Sequence, residues 1–219
     1  MKTAILIGAT GLVGTHLLNI LISNNNYKKI IVFTRRELPI KNPMLAVNLI
    51  DFEKISMWKN KIIGDDLFSC LGTTIRKAGS KEDQYKVDFT YQYEIAKAAA
   101  ENGVKRCLLV SSAGANHSSK NFYLNIKGKL EKEVEKLPFE NIIIFQPSLL
   151  VGNREEPRIG EKIGAFIFSP IAALIPPLRK YRPIKAETVA RAMINSANQK
   201  QKNKLVTFAL NQIFSVANK

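Results

Sequence analysis

The chain predicts an α/β fold: a Rossmann-type, doubly wound parallel sheet with a small C-terminal extension on the substrate side. Three observations predict it. An apolar run, Ala4 to Ile7, breaks into Gly8-Ala9-Thr10-Gly11-Leu12-Val13-Gly14 and then into apolar residues at helical spacing, Leu17, Leu18 and Leu21. Strand-like and helix-like patterns then alternate over most of the 219 residues, as they do when crossover helices connect parallel strands. Several apolar runs also end in small or charged residues, where open α/β sheets bind their ligands. Such a length buries a good core and suits one domain, 1–219, with 152–185 as a lid-like extension.

The first turn is rich in glycine because the backbone must bend sharply, approach a pyrophosphate closely and let helix pack on strand. The helix that follows presents unpaired N–H groups and its positive dipole end to the phosphates. Gly8, Thr10, Gly11, Leu12, Val13 and Gly14 are therefore candidate cofactor contacts; the alternative is a tight turn of structural use only. The second strand, Ile30 to Phe33, ends in Thr34-Arg35-Arg36. An NAD site places an acid there for the ribose 2′-hydroxyl. A guanidinium suits a 2′-phosphate instead, so Arg35 and Arg36 favour NADP(H) over NAD(H), unless they are simply a solvated pair.

A third strand, Met44 to Leu49, closes on Asp51 and Phe52. Asp51 either reaches the adenine amino group or caps a helical turn from Glu53 onward. A fourth, Asp66 to Leu71, runs into Gly72-Thr73-Thr74, making Leu71, Gly72 and Thr73 further cofactor candidates. A helix is expected from about Val87 to Asn102, with Tyr91, Ile95 and Ala98 on one face and Gly103 as its stop. Strand five, Arg106 to Val110, leads into Ser111-Ser112-Ala113-Gly114. Strand six, Asn141 to Phe145, leads into Gln146-Pro147-Ser148.

The chemistry is expected beyond strand five. Tyr123 and Lys127 stand at i and i+4, one turn apart on one helix face. An ammonium close to a phenol favours phenolate and lowers a pKa that starts near 10; the same lysine would hold the nicotinamide ribose. Ser112, at a strand end, would polarise a substrate carbonyl. The competing reading is an ordinary helical tyrosine beside a solvated lysine.

Taken together, the nucleotide turn, the paired serines and Tyr-x-x-x-Lys resemble the short-chain dehydrogenase/reductase superfamily. More narrowly, residues 70–74, 110–115, 123–128 and 152–158 resemble its atypical branch containing the Tat-interacting protein and bacterial relatives, and the likeness covers nearly the whole chain. The resemblance implies NADPH across Gly8, Gly11 and Gly14, Arg35 on the 2′-phosphate, Leu71 and Gly72 beside the cofactor, and Tyr123 with Lys127 as catalytic pair. It also implies that Leu150 and Arg158 reach the cofactor or substrate from later loops. Gln146 departs from the pattern, which usually has arginine before the proline.

Composition narrows the function classes. Two histidines, His16 and His117, cannot assemble a metal cluster. Two cysteines, Cys70 and Cys107, read as buried small hydrophobes in a reducing cytoplasm. The start, MKTAILIG, is too soon interrupted by glycine for a signal peptide. A formal charge of +15 is the oddity. Its lysines look scattered, as on solvated helix faces, so a surface attractive to anionic ligands is expected rather than nucleic-acid or membrane contact. The apolar stretch from Ile163 to Leu178 is too short and too proline-broken to span a bilayer; it reads as a substrate-side lid, a homodimer surface or a peripheral contact. A closing helix runs from Glu187 to Ser196. The expected function is an NADP-dependent oxidoreductase with a small-molecule substrate. The alternatives are an NADPH-binding regulatory or scaffold protein and a nucleotide-sugar epimerase-like enzyme.

Overall fold

A computed structural model of the chain describes residues 1–152 and 181–219. In chain order its strands are β1 (Lys2–Ile7), β2 (Tyr27–Thr34), β3 (Leu45–Leu49), β4 (Asp66–Ser69), β5 (Arg106–Val110), β6 (Asn141–Gln146), β7 (Leu150–Val151), β8 (Ile184–Lys185) and β9 (Leu205–Ala209). Its helices are α1 (Leu12–Ile22), α2 (Ile75–Ala78), α3 (Lys81–Tyr85), α4 (Tyr91–Glu101), α5 (Phe122–Glu135), α6 (Ala186–Asn198) and α7 (Gln212–Ala217). Seven strands form one all-parallel sheet in the order β3-β2-β1-β4-β5-β6-β9, while β7 and β8 form a separate short ladder. The expected doubly wound sheet is present, with its strand order reversing between β1 and β4.

Alternation along each buried strand divides the core in two. Leu6, Val32, Phe68, Leu108 and Phe145 face α1 and α6, together with Leu17, Leu21, Val189 and Met193. Ile7, Phe33, Leu67, Leu109 and Ile144 face α4 and α5, with Ile95, Ala99, Leu130 and Val134. Both faces of a central parallel strand are covered, so these strands read as unbroken apolar runs. Each fully buried Leu, Ile or Phe contributes about 1.5–3 kcal/mol.

Several boundaries differ from expectation. The fourth strand stops at Ser69, and Cys70 to Thr74 belong to the loop. The helix expected from Val87 begins earlier as α3 and passes through a π-turn, Lys86–Thr90, before α4. Beyond the closing helix lie β9 and α7, for which the sequence reading placed no element; β9 is five residues of half-buried edge strand without a glycine turn to announce it. Arg158 and the apolar 163–178 stretch, and with them most of the expected lid, lie outside the described residues.

Candidate active site

Reversal of strand order at β1 and β4 opens a crevice at the carboxyl ends of these strands, the place where such sheets bind nucleotides. The loops leaving both strands touch there. Gly8 adopts φ +80°, and a Cβ on it would lie 2.5 Å from the Cys70 carbonyl carbon. Gly14 is tighter still: its Cβ would come 2.0 Å from the Gly8 oxygen, which already accepts a hydrogen bond from the Gly11 N–H at 2.9 Å. Helix α1 starts at Gly11 with no side-chain cap and no acid in its first turn. Bare backbone and an uncapped helix N-terminus together fit the pyrophosphate of a dinucleotide. Thr10 is exposed at the turn, Leu12 half-buried and Val13 buried. Gly152 closes over Leu12, its Cβ position 2.9 Å from Leu12 Cδ1, and Leu150 packs on the same core through β7.

At the end of β2, Arg35 and Arg36 are both exposed, beyond a turn in which Thr34 Oγ1 accepts from the Arg36 N–H at 3.3 Å. Asp51 caps its turn, accepting from the Glu53 N–H at 3.0 Å, as one of its two expected roles required. Phe52 is buried; its ring stacks on Tyr91 and meets Trp58 edge-on. Its side chain thus serves the core and leaves only backbone for a cofactor.

The proposed chemistry assembles around α5. Asn121 caps this helix through Oδ1, accepting from the Leu124 N–H at 3.1 Å. Asn125 Nδ2 donates to the His117 carbonyl at 2.6 Å, and Gly128 lets the helix approach so closely that a Cβ would sit 2.2 Å from the His117 nitrogen. These contacts fasten Tyr123 and Lys127 to the loop that leaves β5 with Ser112. Tyr123 and Ser112 are half-buried. Lys127 is not the solvated lysine of the competing reading: it is 3% exposed, and its Nζ lies 2.9 Å from Asp88 Oδ1.

Asp88 is the residue that sequence reasoning missed. Fully buried in the π-turn, it accepts through Oδ2 from Gln84 Nε2 at 3.3 Å and the Thr73 N–H at 3.4 Å. Gln92 donates to the Asp88 carbonyl at 3.0 Å and accepts from Ser69 Oγ at 2.8 Å. A Cβ on Gly72 would stand 3.4 Å from Asp88 Oδ1 and 3.9 Å from Lys127 Nζ, so the pair lies directly beneath the Leu71-Gly72-Thr73 loop. The available signal was Gln84, Asp88 and Gln92, a polar stripe at spacing four running into the apolar stripe of the same helix.

Below Lys127 on α5, Glu131 accepts from Gln146 Nε2 at 3.0 Å on both oxygens. Burial pushes its carboxyl above the usual range, against the opposing pull of Ser111, Gln146 and Lys127. Gln146, the departure from the resembled pattern, thus supplies a neutral donor to this acid. Both cysteines are free; burial pushes the Cys107 thiol up to about 12 and raises that of Cys70 too. Among the described residues no group of three or more His, Cys, Asp or Glu side chains could hold a metal, and no helix is long and apolar enough to cross a membrane.

Comparison with known proteins places this geometry. The NAD(P)H-binding family model matches residues 8–162. The chain is 41% identical over 161 residues to "Protein FMP52, mitochondrial" of Candida albicans, covering 71% of this chain and 70% of that protein. It is 34% identical over 199 residues to "Protein HTATIP2" of Rattus norvegicus, covering 89% and 81%. Among solved structures, the Bordetella bronchiseptica enzyme WbmH in complex with NAD+ superposes with a TM-score of 0.71 at 15% identity, over 95% of this chain and 75% of that one. A short-chain dehydrogenase/reductase superfamily protein from Agrobacterium tumefaciens with bound NAD gives 0.71 at 12% identity, over 95% and 77%. One expectation falls: the fungal relatives are named as mitochondrial proteins, which overturns the plain cytoplasmic location inferred from the cysteines. A glycine cradle at the switch point of a parallel sheet, joined to these matches, identifies the chain as a member of the NAD(P)H-binding family, an atypical short-chain dehydrogenase/reductase resembling the HTATIP2-like proteins.

Proposed function

We propose that the protein is an NADP-dependent oxidoreductase that moves hydride between NADPH and the carbonyl carbon of a small-molecule substrate. The observation that carries this reading is the buried Lys127 one helical turn from Tyr123, on a helix fastened to the Ser112 loop. Bound NADPH supplies the hydride. Tyr123 protonates the substrate oxygen as negative charge develops there, and accepts the proton in the reverse direction. Ser112 donates a hydrogen bond to the same oxygen. Lys127 holds the nicotinamide ribose and keeps a positive charge near the phenol, which favours its ionised form. Leu71, Gly72, Thr73 and Leu150 flank the cofactor, Asp51 and the Phe52 backbone border its adenine end, and Arg158 keeps the role that the resemblance implies. Arg35 and Arg36 stand where an acid would repel a 2′-phosphate, which supports NADPH over NADH.

The test has two stages. Calorimetry measures NADPH and NADH binding, and a panel of carbonyl compounds is then screened by loss of NADPH absorbance. With an active substrate, Tyr123→Phe should keep NADPH binding while turnover falls about a hundred- to ten-thousand-fold. Lys127→Met should lose both. A fully active Tyr123→Phe protein would sink the mechanism. Tight NADPH binding with no turnover across the panel would assign the chain to cofactor-sensing proteins instead.

A further inference from the structure

In an all-parallel sheet every strand begins at the same edge, so residues far apart in sequence meet there. Here that edge lies opposite the cofactor crevice. Exposed Lys28 and Lys29 open β2, exposed Lys105 precedes β5, and exposed Lys200, Lys202 and Lys204 lead into β9. The buried acid of this edge, Asp66, does not offset them, because it is already paired with Lys2 at 2.9 Å and with Arg106 and accepts from the Tyr27 hydroxyl at 2.6 Å. Of the outer acids, Glu140 is engaged by Lys105 at 3.3 Å, Asp65 accepts from the Thr3 N–H, and Glu101 is exposed. Lys2 and Arg106 floor a basin of about 700 Å³, with Lys200, Lys202 and Lys204 along its wall. Beside these charges stand two apolar side chains that the fold leaves in water: Met1, 80% exposed, and Ile63, 59% exposed, the latter next to exposed Lys61 and Lys59.

We infer that this edge docks on an anionic phospholipid surface. Lysines attract the headgroups while Ile63 and Met1 enter the boundary below them, the pairing of charge and apolar area by which proteins bind peripherally. A nucleic-acid partner fits less well, because its bases need exposed rings to stack on and the rings found at this edge, Tyr27 and Phe139, are buried. The inference is independent of the catalytic reading, since it uses none of that site's residues.

Vesicle co-sedimentation tests it, with phosphatidylcholine alone and with roughly one-third phosphatidylglycerol. The full chain should pellet with the anionic vesicles only, and less so as salt rises. Changing Lys200, Lys202 and Lys204 together to Gln should weaken partitioning at least about tenfold, and Lys202→Gln alone about threefold, should the triple variant fail to fold. Ile63→Ser, which leaves the charge unchanged, should weaken it about threefold or more. Melting temperature and NADPH affinity should stay at the parent's values in all three. No pelleting with anionic vesicles, equal pelleting with neutral ones, or undiminished binding by the lysine variants would overturn the proposal. So would an unaltered Ile63→Ser protein accompanied by lysine-dependent binding to duplex DNA.

Discussion

Two single residues carry most of the proposed cofactor reading. Lys127, 3% exposed, is paired with Asp88 at 2.9 Å; removing the acid would leave a buried ammonium without this partner, which is costly. Breaking a buried pair costs about 3–5 kcal/mol, so Asp88→Asn should lower the Tm by roughly 6–20 °C in a chain of this size. NADPH binding near neutral pH should weaken with it, and Asp88→Glu should recover part of both. A melt of Asp88→Asn within error of the parent would show that the pair is not holding the lysine. Arg35 carries the proposed preference for NADPH. Arg35→Ala should remove most of the preference for NADPH over NADH, because one charge-assisted contact to a phosphate is worth about 1.5–3 kcal/mol. Calorimetry giving the unmodified protein equal affinity for both cofactors would refute that expectation at once. Arg35, Tyr123 and Lys127 were legible in the sequence because each follows a recognisable element at a fixed offset. Asp88 was not, because its partner lies on another helix and only the folded packing reveals the pair.

At the scale of elements, the turn between β1 and α1 is the most constrained backbone in the described chain. Gly14→Ala would drive a methyl to 2.0 Å from the Gly8 oxygen, and neither backbone can yield without opening the cradle. This variant should lose NADPH binding and melt lower. Gly79→Ala is the converse control: Gly79 has a positive φ, +95°, which helical Gly14 lacks, but nothing lies within 4 Å of its Cβ position. It should cost only about 1–3 kcal/mol of backbone strain and leave binding intact. Equal effects of the two on NADPH affinity would mean that close approach at Gly14 does not govern the turn. The first turn could be read because glycine spacing reports a steric demand directly. The π-turn at Lys86–Thr90 could not, since Val87-Asp88-Phe89 suits an ordinary helix equally well. What the π-turn achieves, aiming Asp88 at Lys127, depends on where α5 lies. Edge strand β9 and helix α7 escaped for a related reason: both are so short that neither a strand nor a helix period can establish itself, although α7 buries Ile213 and Val216.

For the whole molecule, alternation of strand and helix was enough to predict the parallel sheet. Some lysines that look dispersed along the chain, among them Lys28, Lys105 and Lys204, are brought by strand direction to one edge, a property of topology that composition cannot express. The same topology bears on how the chain is made. Strand β1, at the heart of the sheet, is the first to be synthesised; β2 and β3 then extend one flank, and β4, β5, β6 and β9 extend the other in that order. No two paired strands of this sheet are joined by a hairpin, so each pairing must close a long loop before it is rewarded. A nascent chain halted after any strand therefore carries a growing sheet with an apolar rim still uncovered. The interval before β9 and α6 dock is when this protein most needs dilution or a chaperone.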